Sequence, residues 1–129
     1  MKKLVAVTMA VCLLLVGCNT LNKVVVSIVD AEDAAMREWA DAHNRGLTTK
    51  EFDLKVDKAH QQFRQVAASA KIALETYKKN GDKGAYLQAI ETVRVAAGEV
   101  LNLVVSITSP ARGNELKSML RSAPVIGGN

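Results

Sequence analysis

The sequence predicts an all-α protein, and three observations support this fold class. Both prolines, Pro110 and Pro124, lie near the C-terminus, and the stretch of about 90 residues before them is rich in helix-favouring Ala, Glu, Lys, Gln and Leu. Apolar residues in this stretch recur at spacings of three and four, as on one face of a helix. Glycines and capping residues divide it into three segments with short connections. Because short connections make successive helices antiparallel neighbours, we expect an antiparallel up-down-up three-helix bundle with a short C-terminal helical segment and a flexible tail.

The first predicted helix covers residues 20–45. Its apolar face consists of Leu21, Val24, Ile28, Ala31, Ala35, Trp39 and Ala42. The β-branched run at residues 24–26 favours a strand locally, but the helical spacing continues through it. Gly46 can adopt the left-handed conformation that ends a helix. We therefore expect a helix along this whole segment.

The second predicted helix covers residues 49–79 and starts at a strong local signal. Residues 48–51, Thr-Thr-Lys-Glu, form a capping box in which the Thr48 hydroxyl and the Glu51 carboxylate each bind a free backbone N–H. The apolar residues of this helix follow a heptad spacing: Phe52, Val56, Ala59, Phe63, Val66, Ala70, Ala73 and Tyr77. Gly81 follows two lysines at the predicted end.

The third predicted helix covers residues 83–108, with Asp82 as its N-cap and Pro110 beyond its end. Its apolar face consists of Tyr86, Ile90, Val93, Ala97, Val100, Val104 and Ile107. A short amphipathic helix is expected at about residues 114–121, followed by a flexible tail at residues 124–129. The alternative fold is an extended helical hairpin that completes its core only by oligomerising.

The N-terminal segment indicates export. Lys2 and Lys3 precede residues 4–17, which carry no charge and are too few for a membrane span of about 20 residues. The run ends in Leu15-Val16-Gly17-Cys18, which resembles the lipobox of bacterial lipoproteins. The resemblance implies a lipoprotein signal peptide at residues 1–17 and a helical mature domain at residues 18–129. The alternative is an uncleaved membrane anchor with an incidental cysteine.

The same resemblance implies how the mature protein is attached. Cys18 would become the first residue and carry diacylglycerol and a further acyl chain such as palmitate, and several chains anchor a protein stably. Cys12 would leave with the signal peptide, so we expect no disulfide in the mature protein. In enterobacterial lipoproteins, an aspartate just after the cysteine retains the protein at the inner membrane. Asn19 at that position therefore favours the outer membrane, with the protein facing the periplasm.

Composition and motifs exclude several functions. Without Lys2 and Lys3 the net charge falls from +4 to +2, and the basic residues are dispersed, so we expect no nucleic-acid partner. His43 and His60 lack the neighbouring ligands of a metal site. Acidic pairs such as that at residues 32–33 are expected on a solvated face. Since no nucleophile triad or phosphate-binding loop is present, we predict no enzyme activity, cofactor or metal.

Three residues are candidates for a partner interface. Trp39 is expected in the core, with an exposed recognition anchor as the alternative. Leu101 and Val105 lie off the main apolar face of the third helix. The segment after Pro110 or a partner would cover them. Both lie at the end of the bundle far from the lipid.

Four lysines are candidates for contact with the membrane surface. In the expected topology Lys78, Lys79 and Lys83 lie at the membrane-proximal turn, near Lys23, where each would be attracted to anionic lipid. The sequence thus predicts a small membrane-anchored envelope lipoprotein that acts as a structural or protein-interaction module, with a protein partner or self-association. The alternative is a phage- or plasmid-type inhibitor or exclusion lipoprotein that blocks an envelope receptor or enzyme.

Overall fold

A computed structural model describes residues 19–122, and the secondary structure in this range is entirely helical. The helices are α1 (Asn19–Asn44), α2 (Lys50–Asn80), α3 (Lys83–Val105) and α4 (Pro110–Arg121). The predicted all-α fold class is thus confirmed for these residues, which form four helices and no strand. The predicted signal peptide at 1–17, Cys18 and the predicted tail at 124–129 lie outside the described residues. None of the described helices combines the length and hydropathy that a membrane span requires.

The helix α3 is central to the bundle. It contacts α1, α2 and α4, and α4 also contacts α1. More than one face of α3 is therefore apolar, whereas a helix at the surface of a bundle needs only one apolar stripe. Its buried residues are Tyr86, Ile90, Val93, Ala96, Ala97, Val100, Leu101 and Val104.

The predicted apolar faces of the other long helices also point into the core. In α1 the buried apolar residues are Val24, Val25, Ile28, Ala31, Ala35 and Ala42. In α2 they are Val56, Phe63, Ala70 and Leu74. The β-branched run at residues 24–26 is helical because burial against α3 outweighs its local preference for a strand.

The start of α2 differs from the predicted capping box. The N-cap is Thr49, whose hydroxyl accepts a hydrogen bond from the backbone N–H of Phe52 at 3.1 Å. The prediction of Thr48 as the cap was wrong, because the Thr48 hydroxyl lies 3.5 Å from Nδ1 of His43 instead. With Thr49 as the cap, Glu51 comes one position too early to complete the box.

The connection between α3 and α4 also differs from the prediction. α3 ends at Val105, before the predicted residue 108, since the next three backbone N–H groups bond to carbonyls three residues back and tighten the chain. Ser109 then caps α4 by accepting from the N–H of Arg112 at 3.2 Å, and Pro110 occupies the first helical turn. Proline is well tolerated there because its missing N–H would be unbonded anyway. α4 therefore begins at Pro110 rather than near residue 114.

Two glycines and one aspartate end or start helices as the sequence predicts. Gly46 and Gly81 have φ angles of 72° and 76°, the left-handed conformation that follows a helix end. The Asp82 side chain accepts from the N–H of Ala85 at 3.2 Å and caps α3. Because these turns are short, α3 follows α2 directly.

Candidate interaction surfaces

A polar cluster connects the end of α1 to the start of α2. Asp53 accepts hydrogen bonds from Nε1 of Trp39 at 2.8 Å and pairs with Nδ1 of His43 at 2.9 Å. The Trp39 and His43 rings stack with their centroids 5.4 Å apart, and Thr48 approaches the same histidine. We call these four residues the Asp53 cluster. It ties the two helices together beside the loop at residues 45–49.

The electrostatics of this cluster keep Asp53 ionised. Burial by itself would raise the pKa of Asp53, but hydrogen bonds with Thr48, Trp39 and His43 and the charge of His43 together lower it below its usual value. His43 is about half exposed, with 51% of its side chain accessible. Trp39 thus donates a hydrogen bond through its Nε1, stacks on His43 and packs against the core.

A second histidine–carboxylate pair lies deeper between α1 and α2. Among the described residues, Glu32 is the one charged residue that is buried, and its Oε1 lies 2.5 Å from Nδ1 of His60. The expectation that Glu32 lies on a solvated face was therefore wrong. A buried carboxylate is tolerated when it is paired and hydrogen-bonded. Its spacing of four from Ile28 and three from Ala35 was the available signal in the sequence.

The helix α4 is fixed to α1 by an ion pair. Nε of Arg112 lies 2.6 Å from Oε1 of Glu38, and its Nη1 lies 3.0 Å from Glu115. Hydrogen bonding to Glu38, followed by that to Glu115, raises the pKa of Arg112. Farther along α4, Nη1 of Arg94 donates to the backbone carbonyl of Leu120 at 3.3 Å. Both ends of α4 are thus bound to the long helices.

The three residues predicted as a possible partner interface occupy different environments. Leu101 is 1% exposed and lines a shallow groove between α3 and α4, next to Leu120. Val105 is half-buried and packs against Gly113 of α4. Trp39 is half-buried in the Asp53 cluster. The chain itself therefore covers Leu101, which agrees with the first of the two alternatives, and a partner at these residues stays a prediction.

Two large apolar side chains of α2 are exposed, which its heptad spacing does not predict. Leu54 and Ile72 are 61% and 64% exposed. They are eighteen residues apart, which is five helical turns, so they lie on one line along the helix. The exposed residues near that line are two glutamines, one alanine and one lysine, Lys58. We call Leu54, Gln61, Gln65, Ala68 and Ile72 the α2 outer strip, which Lys58 borders. Because glutamines lie between the apolar residues of this strip, the helical spacing of apolar residues does not indicate it.

The four lysines predicted at the membrane surface are all exposed. Three of them flank the turn between α2 and α3, where the Tyr77 and Tyr86 rings meet with their centroids 5.9 Å apart. Within residues 19–122, Lys23, Lys79 and Lys83 take part in none of the ion pairs of the structure. Their contact with a membrane stays a prediction.

Comparisons with known proteins found no match to a family model, to a curated protein or to a solved structure. Across residues 19–122, no three His, Cys, Asp or Glu side chains come together as a metal site. A function for this protein is therefore proposed from its sequence motifs and from the surfaces of the described helices.

Proposed function

We propose that this protein is a small membrane-anchored envelope lipoprotein that acts as a structural or protein-interaction module. The observation that carries the proposal is the motif Leu15-Val16-Gly17-Cys18 at the end of an uncharged run. The chain is helical from Asn19, the first described residue, to Asn44, and at 1.5 Å per residue this helix is about 39 Å long. A lipid on the adjacent Cys18 would therefore hold the helical bundle close to the bilayer.

We further propose the antiparallel up-down-up topology for α1, α2 and α3. Two contacts between α1 and α2 support it, one joining Glu32 to His60 and the other joining Trp39 to Asp53. Trp39 lies seven residues after Glu32 along α1, and its partner Asp53 lies seven residues before His60 along α2. This constant register is that of two antiparallel helices, and it puts the Asp53 cluster at the end far from Asn19.

The membrane is proposed to be the outer membrane, with the bundle facing the periplasm. Asn19, rather than an aspartate, follows the lipobox cysteine, which supports release from the inner membrane. The α2 outer strip supports the interaction role, because the exposed side chains of Leu54 and Ile72 offer apolar surface to a protein partner or to a second copy of the chain.

Lipidation is tested by replacing each cysteine in cells grown with labelled palmitate. The wild-type protein should lose residues 1–17 and carry palmitate, and Cys18→Ser should abolish both the label and the processing. Cys12→Ser is the matched control and should behave like the wild type, because Cys12 is removed with the signal peptide. A Cys18→Ser protein that still carries palmitate would refute the anchor.

The interaction role is tested with a single introduced thiol, since the predicted mature protein has no free cysteine. Gln65→Cys, at the centre of the α2 outer strip, should form cross-links in intact cells, and mass spectrometry should identify either a second copy or one defined partner. Glu91→Cys on α3 is the control, because Glu91 is equally exposed but lies outside the strip. Equal cross-linking at both positions would show that the strip is ordinary surface.

A further inference from the structure

The turn between α2 and α3 extends beyond the start of α1. In the proposed register Asn19 lies level with Ala73, since thirteen residues separate Asn19 from Glu32 and thirteen separate His60 from Ala73. α2 continues to Asn80, seven residues beyond Ala73, which corresponds to about 10 Å along the helix axis. The turn therefore reaches past the residue to which Cys18 is bonded.

The turn between α2 and α3 and the residues beside it carry a net positive charge. Residues 71–83 contain four lysines and two acidic residues, so this short segment carries a net charge of +2, as much as the whole predicted mature chain. One of the two acids, Asp82, is engaged as the N-cap of α3. Lys79 and Lys83 take part in none of the ion pairs of the described residues. Their ammonium groups are thus available to an external anion.

We propose that the α2–α3 turn lies among the headgroups of the anchoring bilayer and that Lys78, Lys79 and Lys83 bind anionic phospholipid. This inference rests on the proposed anchor at Cys18 and on the proposed antiparallel topology. The headgroup layer is about 5–8 Å thick on each side of the hydrocarbon core, so a turn that extends about 10 Å from Asn19 is long enough to reach the phosphate groups. The tether keeps the turn at high local concentration near the lipid, so weak individual contacts suffice.

The residues beside the turn fit the same environment. Tyr77 is half-buried and contacts Tyr86 across the turn, and tyrosine is enriched where proteins meet the membrane interface. Lysine side chains are long and flexible, and their charged ends can reach phosphate groups while the stems lie along apolar surface. Together, the lipid and the lysine turn would hold the bundle at two points and fix its tilt.

The proposal is tested by placing spin labels on the full-length lipidated protein in vesicles. Gly84→Cys puts a label beside the turn, where a Cβ meets nothing nearer than 3.9 Å, and Leu47→Cys puts one at the opposite end, where the side chain is 61% exposed. In vesicles of phosphatidylglycerol and phosphatidylcholine, a water-soluble relaxing agent should reach the label at residue 84 several-fold less often than the label at residue 47. In pure phosphatidylcholine this difference should shrink.

Charge variants show whether the lysines cause the protection. Lys78, Lys79 and Lys83 are replaced together with glutamine. This change should lower the ratio of protein with the turn among the headgroups to protein with the turn in water about a hundredfold, or roughly fivefold per lysine. The matched control replaces three exposed lysines at the other end of α2, Lys50, Lys55 and Lys58, with glutamine and should leave the protection unchanged.

The outcomes separate this inference from the proposed function. If the protein does not float with the vesicles, the anchor at Cys18 fails. If it floats but the label at residue 84 is as accessible as that at residue 47, the turn does not enter the headgroup layer and the inference is overturned. It is equally overturned if the protection is the same with neutral lipid or after the lysines near the turn are replaced.

Discussion

The buried pair between Glu32 and His60 makes the sharpest test of how α1 packs against α2. Only 5% of the Glu32 side chain is exposed, whereas 17% of the His60 side chain is exposed. His60→Ala should therefore leave an unpaired buried carboxylate and destabilise the fold by about 3–5 kcal/mol. For a domain of this size that corresponds to a loss of roughly 12–20 °C in Tm.

Replacing Glu32 instead of His60 should destabilise the fold less. Glu32→Ala leaves a histidine whose side chain is 17% exposed and partly reaches water, so we expect a loss of about 1–2 kcal/mol. Replacing both residues with leucine should come within about 1 kcal/mol of the wild type, because a buried ion pair can be exchanged for apolar packing with little net loss. His60→Ala should be more destabilising than Glu32→Ala because the Glu32 side chain is more buried than that of His60.

The assay is urea denaturation followed by circular dichroism on a form of the protein that begins at Asn19. His43→Ala is the control, since His43 pairs with Asp53 but is 51% exposed, and it should cost less than about 1 kcal/mol. If His60→Ala is no more destabilising than His43→Ala, Glu32 is solvated in solution and the register drawn from this contact is wrong.

Two further predictions concern the Asp53 cluster and α4. Because the pKa of Asp53 is lowered in the folded protein, its ionisation stabilises the fold above the usual value of 3.8, and this contribution is lost as the pH falls through the lowered pKa. When the midpoint of urea denaturation is plotted against pH, Asp53→Asn should therefore reduce the fall of the midpoint at acid pH. Asp57→Asn, at an exposed site, should leave this fall unchanged. Gly113→Ala should destabilise the folded protein by about 1–2 kcal/mol, because its Cβ would lie 3.0 Å from a valine of α3. Gly84→Ala, where the Cβ has open space, should stabilise the folded protein by about 0.5 kcal/mol in the same urea denaturation.

The sequence predicts the helices well because their signals are local. The spacing of apolar residues identifies the buried faces of α1 and α3, and Asp82 and Gly81 mark the turn between α2 and α3. The choice between Thr48 and Thr49 as the cap of α2 is not local. It is decided by His43, which engages Thr48 from another helix.

The candidate surfaces were harder to predict, because they depend on which helices meet. The spacing of Glu32 from Ile28 and Ala35 puts it beside the apolar face of α1, but its burial there depends on His60 of α2, which lies opposite. Likewise, Leu101 is off the main apolar face of α3, and only the placement of α4 decides between cover by the chain and cover by a partner. The exposure of Leu54 and Ile72 follows from which side of α2 the other helices leave free.

The contacts of α1 with its neighbours bear on how an anchored bundle would behave. Within the described residues, its polar contacts with other helices come from its C-terminal half, through Glu32, Glu38, Trp39 and His43. The buried residues of its N-terminal half, near residues 24–28, are apolar and offer no such contacts. Apolar packing is non-directional, so it permits small shifts that a hydrogen-bonded pair resists. The hydrogen-bonded pairs of residues 32–43 therefore fix the position of α1 against its neighbours more sharply than the apolar contacts of residues 24–28 do.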